Sequence, residues 1–158
     1  MTEKIVVNTS PMLSLGKMQA LEIVGKLPFE FVSPTEVETE ILAGANQGYD
    51  VQIPEWLKIL RLQNSLSPLA IASLDTGEAA VIQLALEQNI ELVCIDELKG
   101  RRAASAVGLK IIGSLGLIGK AKTLGFIPEI SPFIQKAKSA GIYYDDILIK
   151  TFLKSFGE

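Results

Sequence analysis

Short β-branched apolar runs alternate along the chain with longer stretches whose apolar positions recur at helical spacing. Ile5-Val6-Val7 is the first such run, ended by Asn8-Thr9-Ser10-Pro11, and its length and branching predict a buried strand. Ser10 followed by Pro11 predicts an N-cap with proline at the first helical position, after which Leu13, Met18, Leu21 and Val24 share one helical face. Residues 29–32 predict a second strand. Ser33-Pro34 repeats the cap-then-proline signal, Glu36 stands where a capping box needs its carboxylate, and Val37, Ile41 and Leu42 point inward until Gly44. Residues 44–54 predict a polar loop and residues 56–62 a third strand. Asp75-Thr76-Gly77-Glu78 opens a strong helix with Ala79, Ile82, Ala85 and Leu86 as its apolar face. Residues 91–95 predict a fourth strand ended by Asp96-Glu97, and a polar helix over 98–107 follows, capped by Gly108. Residues 110–112 predict the last strand. Gly113-Ser114 starts a helix that reaches about Leu124, and Pro128 and Pro132 introduce two more helices, the second beginning near Asp145-Asp146.

Strands separated by helices of this length predict an α/β fold with right-handed crossovers and a mainly parallel sheet. Such sheets bind ligands outside the carboxyl ends of their strands. The residues standing there are Asn8, Asp96 and, just past the last strand, Ser114.

Composition narrows the chemistry. The 158 residues suit one domain, residues 1–158, with the helices from about 128 packing on it. Apolar residues make up 48% of the chain and mean hydropathy is +0.33, which predicts a folded core and leaves surplus apolar surface suited to a homodimer interface. The longest apolar run, residues 109–118, is broken by Lys110, Gly113 and Gly116 and is too short for a membrane span of roughly 20 residues. The first residues lead straight into a strand pattern with no apolar targeting segment, and Cys94 is the lone cysteine; both lead to the expectation of a reducing, cytoplasmic location. Histidine is absent. That excludes Ser-His-Asp triads, His-ligated zinc and a histidine base. Charge is also unevenly spread: residues 1–98 hold 5 basic against 14 acidic side chains, and residues 99–158 hold 10 against 4. An acidic half beside a basic one suits a cation together with a phosphate, and equally suits ordinary solvated helix faces.

Val7-Asn8-Thr9-Ser10-Pro11, Pro34-Thr35-Glu36-Val37-Glu38-Thr39-Glu40-Ile41, Leu74-Asp75-Thr76-Gly77-Glu78-Ala79, Ile95-Asp96-Glu97-Leu98-Lys99-Gly100-Arg101-Arg102 and Gly113-Ser114-Leu115-Gly116 occur in that order. Together they resemble the PIN-domain superfamily, and most closely its DUF3368 branch of small prokaryotic proteins. The resemblance continues through Lys122, Gly125-Phe126-Ile127-Pro128 and the rest of the chain. It implies a three-layer α/β/α fold with a parallel five-stranded sheet, an acidic quartet holding Mg²⁺ or Mn²⁺, and cleavage of RNA, in many cases by the toxin of a toxin–antitoxin pair. Carried over by position, Glu40, Glu78 and Asp96 match three of the acids, Ser114 stands where a hydroxyl often lies near the metal, and Asn8 replaces the usual aspartate. Glu97, Thr9 and Ser10 would support the site, and Lys99, Arg101 and Arg102 would meet RNA phosphates.

The Asn8 substitution has a physical consequence. Its amide oxygen can still ligate a hard cation, but it adds no charge and accepts no proton. Glu97 could restore the missing charge. Without the resemblance, Glu40 reads first as a solvated helix residue, and Glu78 reads as a carboxylate favoured by the helix dipole and Asp96-Glu97 as a helix cap. Tyr143 and Tyr144 fit packing of the last helix ahead of base stacking. Three functions follow as expectations: a Mg²⁺- or Mn²⁺-dependent ribonuclease, a catalytically weak or inactive PIN-like module that binds RNA or protein, and a structural partner in a homodimer or antitoxin complex.

Overall fold

In the computed structural model, residues 2–46 and 52–158 are described. Five strands, β1 (Glu3–Val7), β2 (Phe29–Pro34), β3 (Leu57–Leu60), β4 (Leu92–Cys94) and β5 (Lys110–Ile112), form one sheet in the order β3-β2-β1-β4-β5. Every pairing is parallel. Among the described residues nine helices flank it: α1 (Thr9–Lys17), α2 (Leu21–Val24), α3 (Thr35–Asn46), α4 (Pro68–Ser73), α5 (Thr76–Gln88), α6 (Leu98–Ala106), α7 (Ser114–Thr123), α8 (Ser131–Ser139) and α9 (Asp146–Ser155). The architecture is the expected three-layer α/β/α fold. Helix α5 packs across β1, β2 and β4, while α1 packs against α7 and α8.

Burial explains the strand composition. Ile5, Val6 and Val7 are covered on both faces of the sheet, as are Phe31 and Val32; a parallel sheet under two helical layers needs continuous apolar runs rather than alternation. Phe31 stacks edge-on against Phe29 and Trp56. Gly25 lies beneath the Trp56 indole, where a Cβ would collide with the ring. The register sets Val7 opposite Cys94 and Cys94 opposite Ile112. The three strand ends that carry Asn8, Asp96 and Ser114 therefore lie side by side.

Several helix starts differ from the sequence expectation. Helix α1 begins at Thr9, with Asn8 in the cap position and Pro11 third in the helix; the first-turn N–H groups have no helical acceptor, so proline is tolerated there. Ser33 and Pro34 do not cap α3 but extend β2, and the Ser33 hydroxyl donates to the Val7 carbonyl at 2.6 Å. The capping box forms instead at Asp75 and Glu78. The first helix is broken: Gln19 turns to φ 57°, and α2 starts afresh at Leu21 while Met18 and Val24 stay buried. Both halves face the same core, but in α1 it is Met12 and Leu15 that pack on it rather than the expected Leu13. The short helix α4, capped by Ser67, was not foreseen; none of its residues is buried, so it carries no apolar stripe to read. Helix α3 continues through Gly44 to Asn46, and the rest of the expected polar loop lies largely outside the described residues.

Glu158 ties three distant parts together. Its carboxylate accepts from the Ile130 and Ser131 N–H groups at the start of α8, from the Ser131 hydroxyl, and from Lys122 Nζ at 2.8 Å. Partial burial opposes its ionisation, but the Lys122, Ile130 and Ser131 hydrogen bonds outweigh it and hold the carboxyl down at about 2, against an ordinary 4.5. A carboxyl held low stabilises the fold above its ordinary value, and that stabilisation fades as pH falls toward the folded value. Glu158→Gln is therefore expected to lower Tm by roughly 2–4 °C at pH 7, the loss of about 1 kcal/mol of capping. The difference from the unaltered chain should shrink between pH 4.5 and 2 in thermal melts.

Candidate metal centre

The carboxyl edge of the sheet gathers oxygen atoms from five elements. Asn8 follows β1 and is 3% exposed. Its backbone N–H donates to the Cys94 carbonyl at 3.0 Å, which continues the β1–β4 ladder by one residue and fixes the side chain at the sheet edge. That side chain does not cap α1, and its Oδ1 is buried with no donor in the protein. Thr9 donates its hydroxyl to Glu40 Oε2 at 2.7 Å, drawing the half-buried carboxylate of α3 toward the end of β1. Glu40 lies over Gly77, where any Cβ would collide with the carboxylate. Ser10 reaches the exposed Glu97 with a bond of 3.3 Å.

Glu78 is the most unusual of these groups. It is 2% exposed, in the first turn of α5. Its N–H donates to Asp75 Oδ1 at 2.7 Å, and its Oε1 accepts from the Asp75 N–H at 3.4 Å. Its Oε2 is buried without a donor and presses on Gly100 of α6, where a side chain would displace it. Burial first, then the charges of Asp75 and Glu97, push its carboxyl up to about 7. Leaving a buried acceptor unpaired costs about 1–3 kcal/mol. A hard cation accepts oxygen donors of this kind and would relieve both burial and repulsion.

Asp96 is differently held. Ser114 donates its N–H to Oδ1 at 2.7 Å and its hydroxyl to Oδ2 at 2.9 Å. The acid ending β4 is thus clamped on the first turn of α7, where the helix dipole favours negative charge. Arg101 lies beside it on α6, half-buried, with Nη1 donating to the Ile95 carbonyl at 3.4 Å. Lys99 and Arg102 are exposed.

No group within 4.8 Å among the described residues joins the carboxylates of Glu40, Glu78 and Asp96. Among the described residues, the acids whose oxygens lie within 4.8 Å of one another are Asp75, Glu78 and Glu97. Asp75 was missing from the sequence candidates. Its signal was present as the residue three before Glu78, the spacing of a capping box, which reads as helix chemistry alone. The donor set fits a hard divalent cation on two grounds: all its members are oxygens, and Asn8 Oδ1 and Glu78 Oε2 are buried acceptors without protein partners. Cys94, the nearest soft ligand, is fully buried in the sheet, which raises its thiol well above the ordinary range and keeps it out of the chemistry.

A carboxyl raised by burial weakens the fold as pH climbs from its ordinary 4.5 through about 7. Without added metal, Glu78→Gln should therefore raise Tm by a few degrees at pH 8 and leave it nearly unchanged at pH 4. The same variant should lose most of the Tm increase that Mn²⁺ confers on the unaltered protein. A variant destabilised equally at both pH values would show that the carboxylate serves only as a cap.

Residues 4–158 match the DUF3368 family, whose description is a PIN domain. No curated protein matches the chain. With the parallel sheet, the acid-lined carboxyl edge and a family match over nearly its whole length, the chain belongs to the DUF3368 family of PIN domains.

Proposed function

We propose that this chain is a divalent-metal-dependent endoribonuclease of PIN type, acting as a single domain over residues 1–158. One observation carries the reading: two buried oxygens, Asn8 Oδ1 and Glu78 Oε2, have no protein donor at the acid-rich edge of the sheet. Glu78, with Asp75 and Glu97 within 4.8 Å, would hold Mg²⁺ or Mn²⁺, aided by the Asn8 amide and by Glu40 and Asp96. The bound ion supplies Lewis-acid stabilisation of the charge that develops on the phosphoryl oxygens. The remaining work falls to the chain's own residues. Arg101 faces the same edge with its guanidinium and suits a phosphate oxygen; Lys99 and Arg102 add longer-range attraction from the exposed face of α6. Ser114 keeps both Asp96 oxygens oriented. Thr9 does the same for Glu40, and Ser10 steadies Glu97.

A role as a cytoplasmic toxin countered by an antitoxin, and assembly as a homodimer, extend this reading. Exposed Leu69, Ile147 and Leu148 support the second of these as apolar surface suited to a partner. Among the described residues no helix is long and apolar enough to cross a membrane.

Asn8 favours a second reading, a PIN fold that binds RNA or protein with little turnover, because the amide lowers the charge available to the ion. One pair of variants separates the two. Under the nuclease reading the unaltered protein cuts single-stranded RNA in Mn²⁺ or Mg²⁺, and Asp96→Asn lowers the rate by about a hundredfold. Asn8→Asp should tighten Mn²⁺ binding about tenfold or more by titration calorimetry. Purified protein that leaves varied RNAs intact at high Mn²⁺ would sink the nuclease reading, and cleavage appearing only in Asn8→Asp would establish the second.

A further inference from the structure

Beside the metal centre lies an open cleft of about 580 Å³, within the range of roughly 300–1,000 Å³ typical of small-ligand sites. One wall is the turn from β5 into α7; the other is the segment before α9 and the first turns of that helix. Its lining is mainly apolar, with Ile111, Ile112 and Phe152 among the aliphatic and aromatic groups. Its polar residues include Asp96, Ser114 and Arg101, which also belong to the metal centre or adjoin it. The two sites are thus continuous.

Two tyrosines line the cleft. Tyr143 is 86% exposed, the most exposed large hydrophobic side chain among the described residues, so packing of α9 does not account for it. Tyr144 is half-buried, lines the same cleft and packs on the core, with its hydroxyl closed off from solvent. An exposed ring in an apolar cleft suits a flat aromatic ligand, and Arg101 suits an anionic group joined to it. A nucleotide carries both.

We infer that this cleft is a base subsite for single-stranded RNA. One nucleobase stacks on Tyr143 against the wall that Tyr144 helps to form, while its phosphate faces Arg101 beside Asp96. The inference rests on the nuclease reading for the choice of RNA, but it concerns binding and can be tested without turnover. Stacking tolerates any base because each has a π-face.

The test compares a fluorescently labelled RNA decamer with an abasic decamer of the same backbone, by anisotropy in Ca²⁺ buffer, with strand integrity checked on a gel. The base-bearing strand should bind more tightly than the abasic one. Tyr143→Ala should lower its affinity between about fivefold and a hundredfold while leaving abasic binding unchanged. Tyr144→Phe, which removes only the enclosed hydroxyl, should bind both strands like the unaltered chain. Equal binding of the two strands, or a Tyr143→Ala protein that binds like the unaltered chain, overturns the inference. A DNA decamer bound as tightly as RNA overturns the assignment to RNA. So does a dimer in sedimentation that Tyr143→Glu dissociates while RNA affinity is unchanged, since a second copy would then fill the cleft. Cleavage that persists with no base dependence removes the subsite and leaves the nuclease reading intact; base-dependent binding without cleavage does the reverse.

Discussion

The fold around the carboxyl edge is organised by one buried carboxylate. Glu78 uses one oxygen to complete the capping box of α5 and leaves the other without a donor. The two halves of that arrangement have similar magnitudes. A capping side chain contributes about 0.5–2 kcal/mol, and an unpaired buried acceptor costs about 1–3 kcal/mol. The cap can therefore hold the start of α5 in place while the second oxygen stays strained. Two glycines make the room: Gly77 admits the Glu40 carboxylate and Gly100 admits Glu78 itself. A stability-optimised helix start would carry neither the orphan oxygen nor the glycines. Their presence together is what a site that gives up stability for a ligand would show, and it supports the metal centre proposed here.

The same constraint makes Asn8 intelligible. A carboxylate at position 8 would sit nine-tenths buried at the same acid-rich edge as Glu78, whose ionisation is already opposed by burial and by its neighbours' charges. An amide keeps an oxygen at the end of β1 without adding a buried charge. Asp75 and Glu97 lie close to Glu78, so acidic charge is concentrated at the α5–α6 junction. The centre proposed for this chain is accordingly displaced toward α5 and α6 from the quartet that its motifs suggest.

The strands were legible because burial on both faces of a parallel sheet writes itself as a continuous apolar run, as in Ile5-Val6-Val7. The residues at the strand ends followed from that. Helix starts were less legible. Ser33-Pro34 carries a cap signal by composition, yet Ser33 spends its hydroxyl on the Val7 carbonyl across the sheet, a contact of sequence separation 26 that no local pattern contains. Gln19 breaks the first helix in a left-handed turn that an amphipathic stripe cannot reveal. Asp75 was visible only as a cap partner, and its approach to Glu97 depends on how α5 and α6 pack. Tyr143 was ambiguous between packing and binding until its exposure was seen, whereas Tyr144 packs on the core.

Geometry also bears on how catalysis and recognition would cooperate. Ser114 sits at the hinge between the two sites: its N–H and hydroxyl hold Asp96, and the turn it opens forms one wall of the tyrosine cleft. A base seated against that wall would fix the position of its own phosphate relative to Asp96, because both are referred to the first turn of one helix. With an amide at position 8 the proposed centre has one carboxylate fewer with which to hold an ion, and binding energy from a stacked base would supply part of the alignment of the scissile phosphate. The exposed ring of Tyr143 and the uncharged side chain of Asn8 would then be two parts of one compromise, in which affinity for a nucleotide takes over part of the work of a further carboxylate.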